Sequence, residues 1–301
     1  MTSAPLAERR NPELAALAAQ HGLSVAGSRP GLMDYIRQTW RYRHFTNAFS
    51  TAGVVAALGH HRLGRMWQVL TPLSNAAVYY LIFGVIIKTS RGLDKQTFLA
   101  YLCIGVFFFT FTSQAVQQGV QAITRNLGMI RALQFPRASL PISSTLTQFQ
   151  NLLASTVVLI GIVLLTGQPV RWEWLLLVPV LILQTIFNIG LAMVMARIGN
   201  KITDLKQVLP FVMRTWMYAS GVLYPATLFD KNLPGPLAHI ALANPLVVYI
   251  EIARRALLVL PKKEMVLTWH SLTILAVGWA VVMGIGGFLY FWRGEQEYGR
   301  G

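Results

Sequence analysis

The stretch RNLGMIRALQFPRASLP, Arg125–Pro141, decides how this chain is read, because it lies between two strongly apolar runs and alone interrupts them, with Arg125, Arg131 and Arg137. Ahead of Phe135-Pro136 it can form about three helical turns, apolar at Leu127, Ile130 and Leu133 and basic at Arg125 and Arg131. Pro136 and Pro141 then stop that helix and start the next segment, since proline removes a backbone donor and restricts the residue before it. A short cationic helix between two membrane spans is badly placed for lipid and well placed to press on something cytoplasmic. An ordinary basic loop that fixes topology is the alternative.

The flanking runs fit the composition. Of 301 residues 54% are hydrophobic and only 12% charged, and mean hydropathy is +0.50. A soluble domain carries roughly 25% charged residues, so the chain is expected to be an all-α polytopic membrane protein. Its formal charge of +15 is then a topology signal, and no nucleic-acid partner is expected. Cys103, the only cysteine, sits inside an apolar run. Neither a disulfide framework nor a Cys/His metal site is expected. No apolar leader opens the sequence, so no cleaved signal peptide is expected.

Six runs are long enough to cross about 30 Å of hydrocarbon: Trp67–Lys88, Phe98–Gln121, Ile142–Thr166, Trp172–Ala196, Gln207–Tyr224 and Thr268–Trp292. With both ends in the cytoplasm, sixteen of the 26 Lys and Arg residues fall inside. That bias predicts an N-in, C-in, multi-pass protein of a cytoplasmic membrane. Residues 1–30 read as a cytoplasmic tail, disordered apart from an Ala-rich piece. Residues 31–50 read as an amphipathic interface helix, with Leu32, Tyr35, Ile36 and Trp40 on one side and Arg37, Arg41 and His44 on the other. Such a helix lies in the headgroup plane or packs on a soluble partner.

Between the fifth and sixth spans, residues 225–263 are too long for a turn and too apolar for a solvated loop. Asn244-Pro245 starts a helix, Asn as cap and Pro at the first position. Glu251, Arg254 and Arg255 in its middle make a full crossing costly. A re-entrant lid helix over Pro245–Leu260 is expected, with a shorter piece around Leu237–Ala243 before it.

Motifs for chemistry are missing. Gly-Lys does not occur as a dipeptide, so the chain cannot build a P-loop, and HExxH and GxSxG are absent. His60-His61 reads as surface charge, and Gly284–Gly287 (GIGG) as close helix packing. The spans carry uncharged polarity instead: Thr110, Gln114, Gln117 and Gln121 on one face, Gln148, Gln150 and Asn151, then Gln184 and Asn188. Amides and hydroxyls suit a neutral polyol or bond helix to helix. Tyr79, Tyr80, Trp216, Tyr218 and Tyr224 are candidates for stacking on sugar rings, or form an interfacial belt. Arg214, inside the fifth run, should face protein, water or an anionic ligand, or snorkel.

These residues carry a resemblance. LGRMWQVLTPL (Leu63–Leu73) with Tyr79 and Phe83-Gly84, the Asn126–Pro141 pattern, ITDLKQVLPFVMRTWMYASGVLYP (Ile202–Pro225) and NPLVVYIEIARRALL (Asn244–Leu258) stand in order. Together they resemble the membrane permeases of type-2 ABC transporters that export polysaccharides, over about residues 31–293. The likeness runs furthest to exporters of lipid-linked cell-wall galactan. It implies a homodimer with two copies of a cytoplasmic ABC ATPase subunit, which bind the ATP and Mg; no cofactor belongs to this chain. It implies a coupling helix at residues 125–136, with Asn126, Ile130, Arg131, Phe135, Pro136 and Arg137 as coupling residues. Tyr35, Arg37, Trp40 and Arg41 would form the interface helix, and Gln114, Gln117, Gln121, Arg214, Trp216, Tyr218 and Tyr224 the conduit. Asn244, Pro245, Glu251, Arg254 and Arg255 would form the outer gate, and membrane lipid and a lipid-linked polysaccharide are the implied partners. Thr203 stands where the family usually has a basic residue. An intramembrane transferase acting on lipid-linked glycans is the alternative, and an ion-coupled transporter a third; both want buried carboxylates, which the spans lack.

Overall fold

The computed structural model describes residues 30–58, 66–86, 95–202, 204–261 and 265–298. The N-terminal tail, the His60-His61 patch, Thr203 and Lys262-Lys263 lie outside them. Every regular element among the described residues is helical. In chain order these are α1 (Leu32–Arg41), α2 (Arg43–Leu58), α3 (Met66–Tyr79), which runs on as a π-helix over Tyr80–Ile86, and α4 (Lys95–Gly119). They continue with α5 (Leu127–Ala132), α6 (Ser139–Leu165), α7 (Leu177–Lys201), α8 (Leu205–Tyr218), α9 (Thr227–Asn232), α10 (Gly235–Leu242), α11 (Pro245–Leu257) and α12 (Trp269–Arg293).

Among the described residues four helices are long and apolar enough to cross a membrane: α4, α6, α7 with the 3-10 turn before it, and α12. The α10–α11 pair passes the same test only as a unit bent by 68°. The expected fifth span is shorter than its apolar run: α8 carries Pro210 in its interior and stops at Tyr218, after which Gly221 turns the chain at φ +60. The expected interface helix is two helices meeting at Tyr42, and the second continues to Leu58.

The core lies around α4, whose Phe98–Phe109 face is buried against α6, α7, α8 and α11. The most extensive helix pair is α7 with α12. It closes because both carry glycine at the crossing: a Cβ at Gly190 would run into the Met283 carbonyl, and one at Gly287 into the Gly190 carbonyl. Small residues let helix backbones approach where lipid supplies no hydrophobic drive, so the GIGG segment does what its composition suggests.

Candidate functional site

Three segments distant in sequence meet at Glu295, just past α12. The Tyr35 hydroxyl of α1 donates to Glu295 Oε2 at 2.7 Å and accepts from the Ala138 backbone N–H at 3.0 Å. The Arg137 backbone N–H donates to Oε1 at 3.3 Å, and its guanidinium donates to the Glu295 carbonyl. Trp292 Nε1 donates to the Pro30 carbonyl at 3.0 Å, and Lys201 pairs with Glu297 at 2.9 Å. Tyr35 of α1, the start of α6 and the ends of α7 and α12 are thereby joined in one cluster. Tyr35, Ile123, Ile130, Ala138, Phe291 and Tyr298 form its apolar interior.

Burial pushes the Glu295 carboxyl up, although the Tyr35 hydroxyl and Arg137 pull it down. Burial and the neighbouring carboxylate push the Tyr35 phenol well above its ordinary range. A carboxyl raised above its ordinary 4.5 binds more protons folded than unfolded, so stability should fall as pH rises above 4.5 toward the raised value. We expect Glu295→Gln to flatten that slope, read by thermal unfolding of the purified chain across the acidic range. An unchanged slope would mean that Glu295 is hydrated rather than buried.

The expected coupling helix is shorter than its pattern and splits its residues between two faces. A 3-10 turn at Thr124–Asn126 leads into α5, and Leu133 is already extended (φ −125, ψ 142). Pro136 disfavours helix at Phe135, and Gly128 weakens the turn before it, which is why three turns do not form. Arg131 is exposed. Ile130 and Arg137 instead join the Glu295 cluster, Pro136 is buried, and Asn126 Nδ2 donates back to the Ala122 carbonyl at 2.8 Å. The Phe135 ring sits 5.4 Å from Phe45 of α2. On α1, Tyr35 is buried, while Arg37, Trp40 and Arg41 are exposed.

At membrane depth the polar stripe divides. Gln117 bonds Ser113 within α4, and Gln121, in the turn just past α4, bonds back to the Gln117 carbonyl. Gln184 bonds the Phe108 carbonyl and Thr112, each at 3.0 Å, and so joins α7 to α4. Gln114 instead opens into a cleft of about 290 Å³ between α3, α4 and α6, with Gln118, Gln148, Asn151 and Trp67. Asn151 donates to Gln148 at 3.1 Å, while its own Oδ1 is buried without a partner among the described residues. Gln118 and Asn151 thus enter the cleft where Gln117 and Gln121 were expected.

Arg214 is exposed on α8, among exposed Val208, Phe211, Val212 and Tyr218. Trp216, Tyr218 and Tyr224 gather where α8 meets the lid: Trp216 Nε1 donates to Asn244 Oδ1 at 3.3 Å, and the Tyr224 hydroxyl to the Tyr218 carbonyl.

Asn244 caps α11 as its sequence predicts, accepting from Leu246 N at 3.1 Å, but α11 ends at Leu257 rather than Leu260. It is also no peripheral flap, since every residue of Pro245–Leu257 is buried. Arg254 Nη1 reaches the Tyr101 hydroxyl at 2.8 Å and the Gly221 carbonyl at 2.9 Å, and Nη2 reaches Val222 O at 2.6 Å. Arg255 pairs with Glu251 at 2.9 Å and donates to the Leu267 carbonyl at 2.6 Å. From the α6–α7 loop, Gln168 accepts from Val259 N at 2.8 Å and Arg171 donates to the Leu258 carbonyl at 3.0 Å. The outward surface of this region belongs to α10, where Leu237 and Ile240 are exposed.

Tyr101, Gln168 and Glu295 were not expected as site residues. Glu295 alone left a trace in the sequence, an acid beside Arg293 in the segment where cations mark the membrane edge. Among the described residues no group of three His, Cys, Asp or Glu could hold a metal.

This arrangement is a helical body with several apolar helices, a buried polar knot at Glu295 and a bent helix pair locked by arginine near α4. The chain's relatives include the O-antigen export system permease protein RfbA of Myxococcus xanthus, 24% identical over 67% of this chain and 76% of that protein. The RfbA of Klebsiella pneumoniae is 21% identical over 63% and 72%. The polysialic acid transport protein KpsM of Escherichia coli is 26% identical over 79% of this chain and 88% of its own length. The model of the ABC-2 type transporter family matches residues 47–258, well over half of the chain, and the chain belongs to that family, as a membrane permease rather than an enzyme.

Proposed function

We propose that this protein is the channel-forming subunit of an ATP-driven exporter. It works as a homodimer of six-span, N-in, C-in protomers with two ABC ATPase subunits, and moves a lipid-linked polysaccharide, cell-wall galactan being the finer proposal. The names of the relatives, O-antigen export and polysialic acid transport, support a polysaccharide cargo. The observation that carries the channel reading is Arg214. A permanent charge on the exposed apolar face of a membrane helix is costly against lipid and is tolerated against protein or a water-filled cavity. A second protomer set against α8 supplies that cavity, with Arg214 available to an anionic carrier group and Tyr218 to sugar rings. The cleft at Gln114 and Asn151 adds neutral hydrogen-bonding groups facing the same kind of cargo. The outer gate is then α9–α10, moving against a fixed α11. An intramembrane transferase gains no support, because the family consists of transport proteins.

Arg131 tests the coupling. In this reading its exposed guanidinium on α5 meets the ATPase, while Phe135 only braces α5 against α2. Tagged protein should pull down an ATP-hydrolysing subunit. We expect Arg131→Glu to lower ATP-dependent export at least ten-fold while the permease still elutes as a single species. Unimpaired export would remove Arg131 from coupling, and an intact permease that brings down no ATPase would overturn the exporter reading.

A further inference from the structure

We propose that the groove under α1 binds one anionic phospholipid of the leaflet in which α1 lies. A groove of about 730 Å³ runs between α1, the start of α6 and the end of α12. Ile36 and Trp40 line it from α1, Leu146 from α6, and Ile285 and Phe288 from α12. The two hydroxyls that face it are satisfied within the helices, Thr39 to the Tyr35 carbonyl at 2.8 Å and Thr46 to the Tyr42 carbonyl at 3.1 Å. The groove therefore makes no polar demand, and its occupant is apolar. Trp40 is 70% exposed and Ile285 60% exposed. Two of its three walls belong to helices long and apolar enough to span a membrane, so it opens at lipid depth and acyl chains are the apolar matter available to fill it.

Charge at the mouth names the headgroup. Arg43 lines the groove, its guanidinium 5.4 Å from the Trp40 ring centre and donating to the Trp40 carbonyl at 3.3 Å. Arg37, Arg41 and His44 are exposed on the same two helices, and none of the four forms an ion pair among the described residues. Asp34 is the only acid of α1. Basic pockets between membrane helices at a charged leaflet recruit anionic lipid. The indole of Trp40 is suited to the level between acyl chain and phosphate. The proposal rests on the chain being a membrane permease and is independent of its cargo or ATPase.

The test uses the full chain in vesicles of phosphatidylcholine carrying an equal fraction of chain-brominated phosphatidylglycerol or chain-brominated phosphatidylcholine. The Trp40 signal is taken as the difference between the wild type and Trp40→Phe. We expect brominated phosphatidylglycerol to quench that signal at least three-fold more than brominated phosphatidylcholine, and Arg43→Gln to bring the two to equality. Equal quenching in the wild type would overturn the proposal in favour of unselected lipid. No quenching by either would mean that protein, such as the first 29 residues, fills the groove. A preference surviving in Arg43→Gln would place the lipid elsewhere. Relief of quenching by a few mole per cent of polyprenyl phosphate would give the groove to the cargo's carrier and overturn the phospholipid. Since no ATPase or polysaccharide is present, failure of the exporter reading leaves these outcomes unchanged.

Discussion

Gly190→Leu should yield almost no folded protein. Gly190 faces α12 where two backbones touch, and a Cβ there would run into the Met283 carbonyl and come within 2.8 Å of the Gly284 nitrogen. The obstacle on the other side is main chain, which no rotamer change can clear. Admitting a leucine would force α7 and α12 apart along the most extensive helix contact in the molecule. Ordinary overpacking costs about 1–3 kcal/mol because neighbours shift; here the helices themselves must shift, and a loss above about 4 kcal/mol is expected. Gly278, on the same α12, has open space where its Cβ would stand, so Gly278→Leu is the matched control. The yield of monodisperse protein after detergent extraction is the measurement. Equal yields for the two variants would show that the seam is looser than its geometry.

Arg254→Met should be the second most damaging change, for the opposite reason. The guanidinium is 2% exposed and serves the Tyr101 carbonyl and hydroxyl and the carbonyls of Gly221 and Val222, lying 3.4 Å from the Tyr101 ring centre. Methionine fills comparable volume but donates nothing, and it strands several acceptors where water does not reach. Breaking such a buried charged network costs about 3–5 kcal/mol, a fall in melting temperature on the order of 10 °C. Lysine should recover only part of it, since a point charge cannot serve divergent acceptors as a planar fork does. Gly105→Ala should imitate the loss in milder form, because its Cβ would lie 2.7 Å from Arg254 Nη2 and 2.8 Å from the Val222 carbonyl. A melting temperature unchanged in Arg254→Met would mean that α11 is held by its apolar contacts alone.

Apolar length was the most readable property of the chain. α4, α6, α7 and α12 fall where the hydrophobic runs place them, because a run of some twenty apolar residues has few other uses. Local backbone chemistry was readable too, in the Asn244-Pro245 start and the GIGG contact. Two kinds of feature stayed hidden. Where a helix ends inside an apolar run is set by the backbone beyond it, so α8 stopped at Tyr218 before the Gly221 turn, and α5 ended at Ala132, earlier than Pro136 alone requires. Partnerships across the fold leave no local period: Tyr35 meets Glu295 across 260 positions and Arg254 meets Tyr101 across 153. The polar stripe on α4 was visible as a stripe, but which of its amides turn inward is decided by α6 and α7, and so Gln118 and Asn151 joined Gln114 in the cleft.

The knot at Glu295 carries a consequence in the arithmetic of crossings. Glu295 touches both Tyr35 and Arg137, and Tyr35 touches Ala138, so in a bilayer these residues stand on one side, and the chain between any two of the three segments must cross it an even number of times. Between Tyr35 and Arg137, α4 supplies one crossing, and evenness asks for a partner, a place that α3 with its π extension can take. Between Arg137 and Glu295, α6, α7 and α12 supply three. The remaining stretch, α8 with the bent α10–α11 pair, must then contribute an odd number: if the pair turns back at its 68° bend, α8 goes through despite its brevity. If those helices cross as their length and composition allow, the proposed six-span arrangement meets this parity with Tyr35 and Glu295 on one side, without reference to charge.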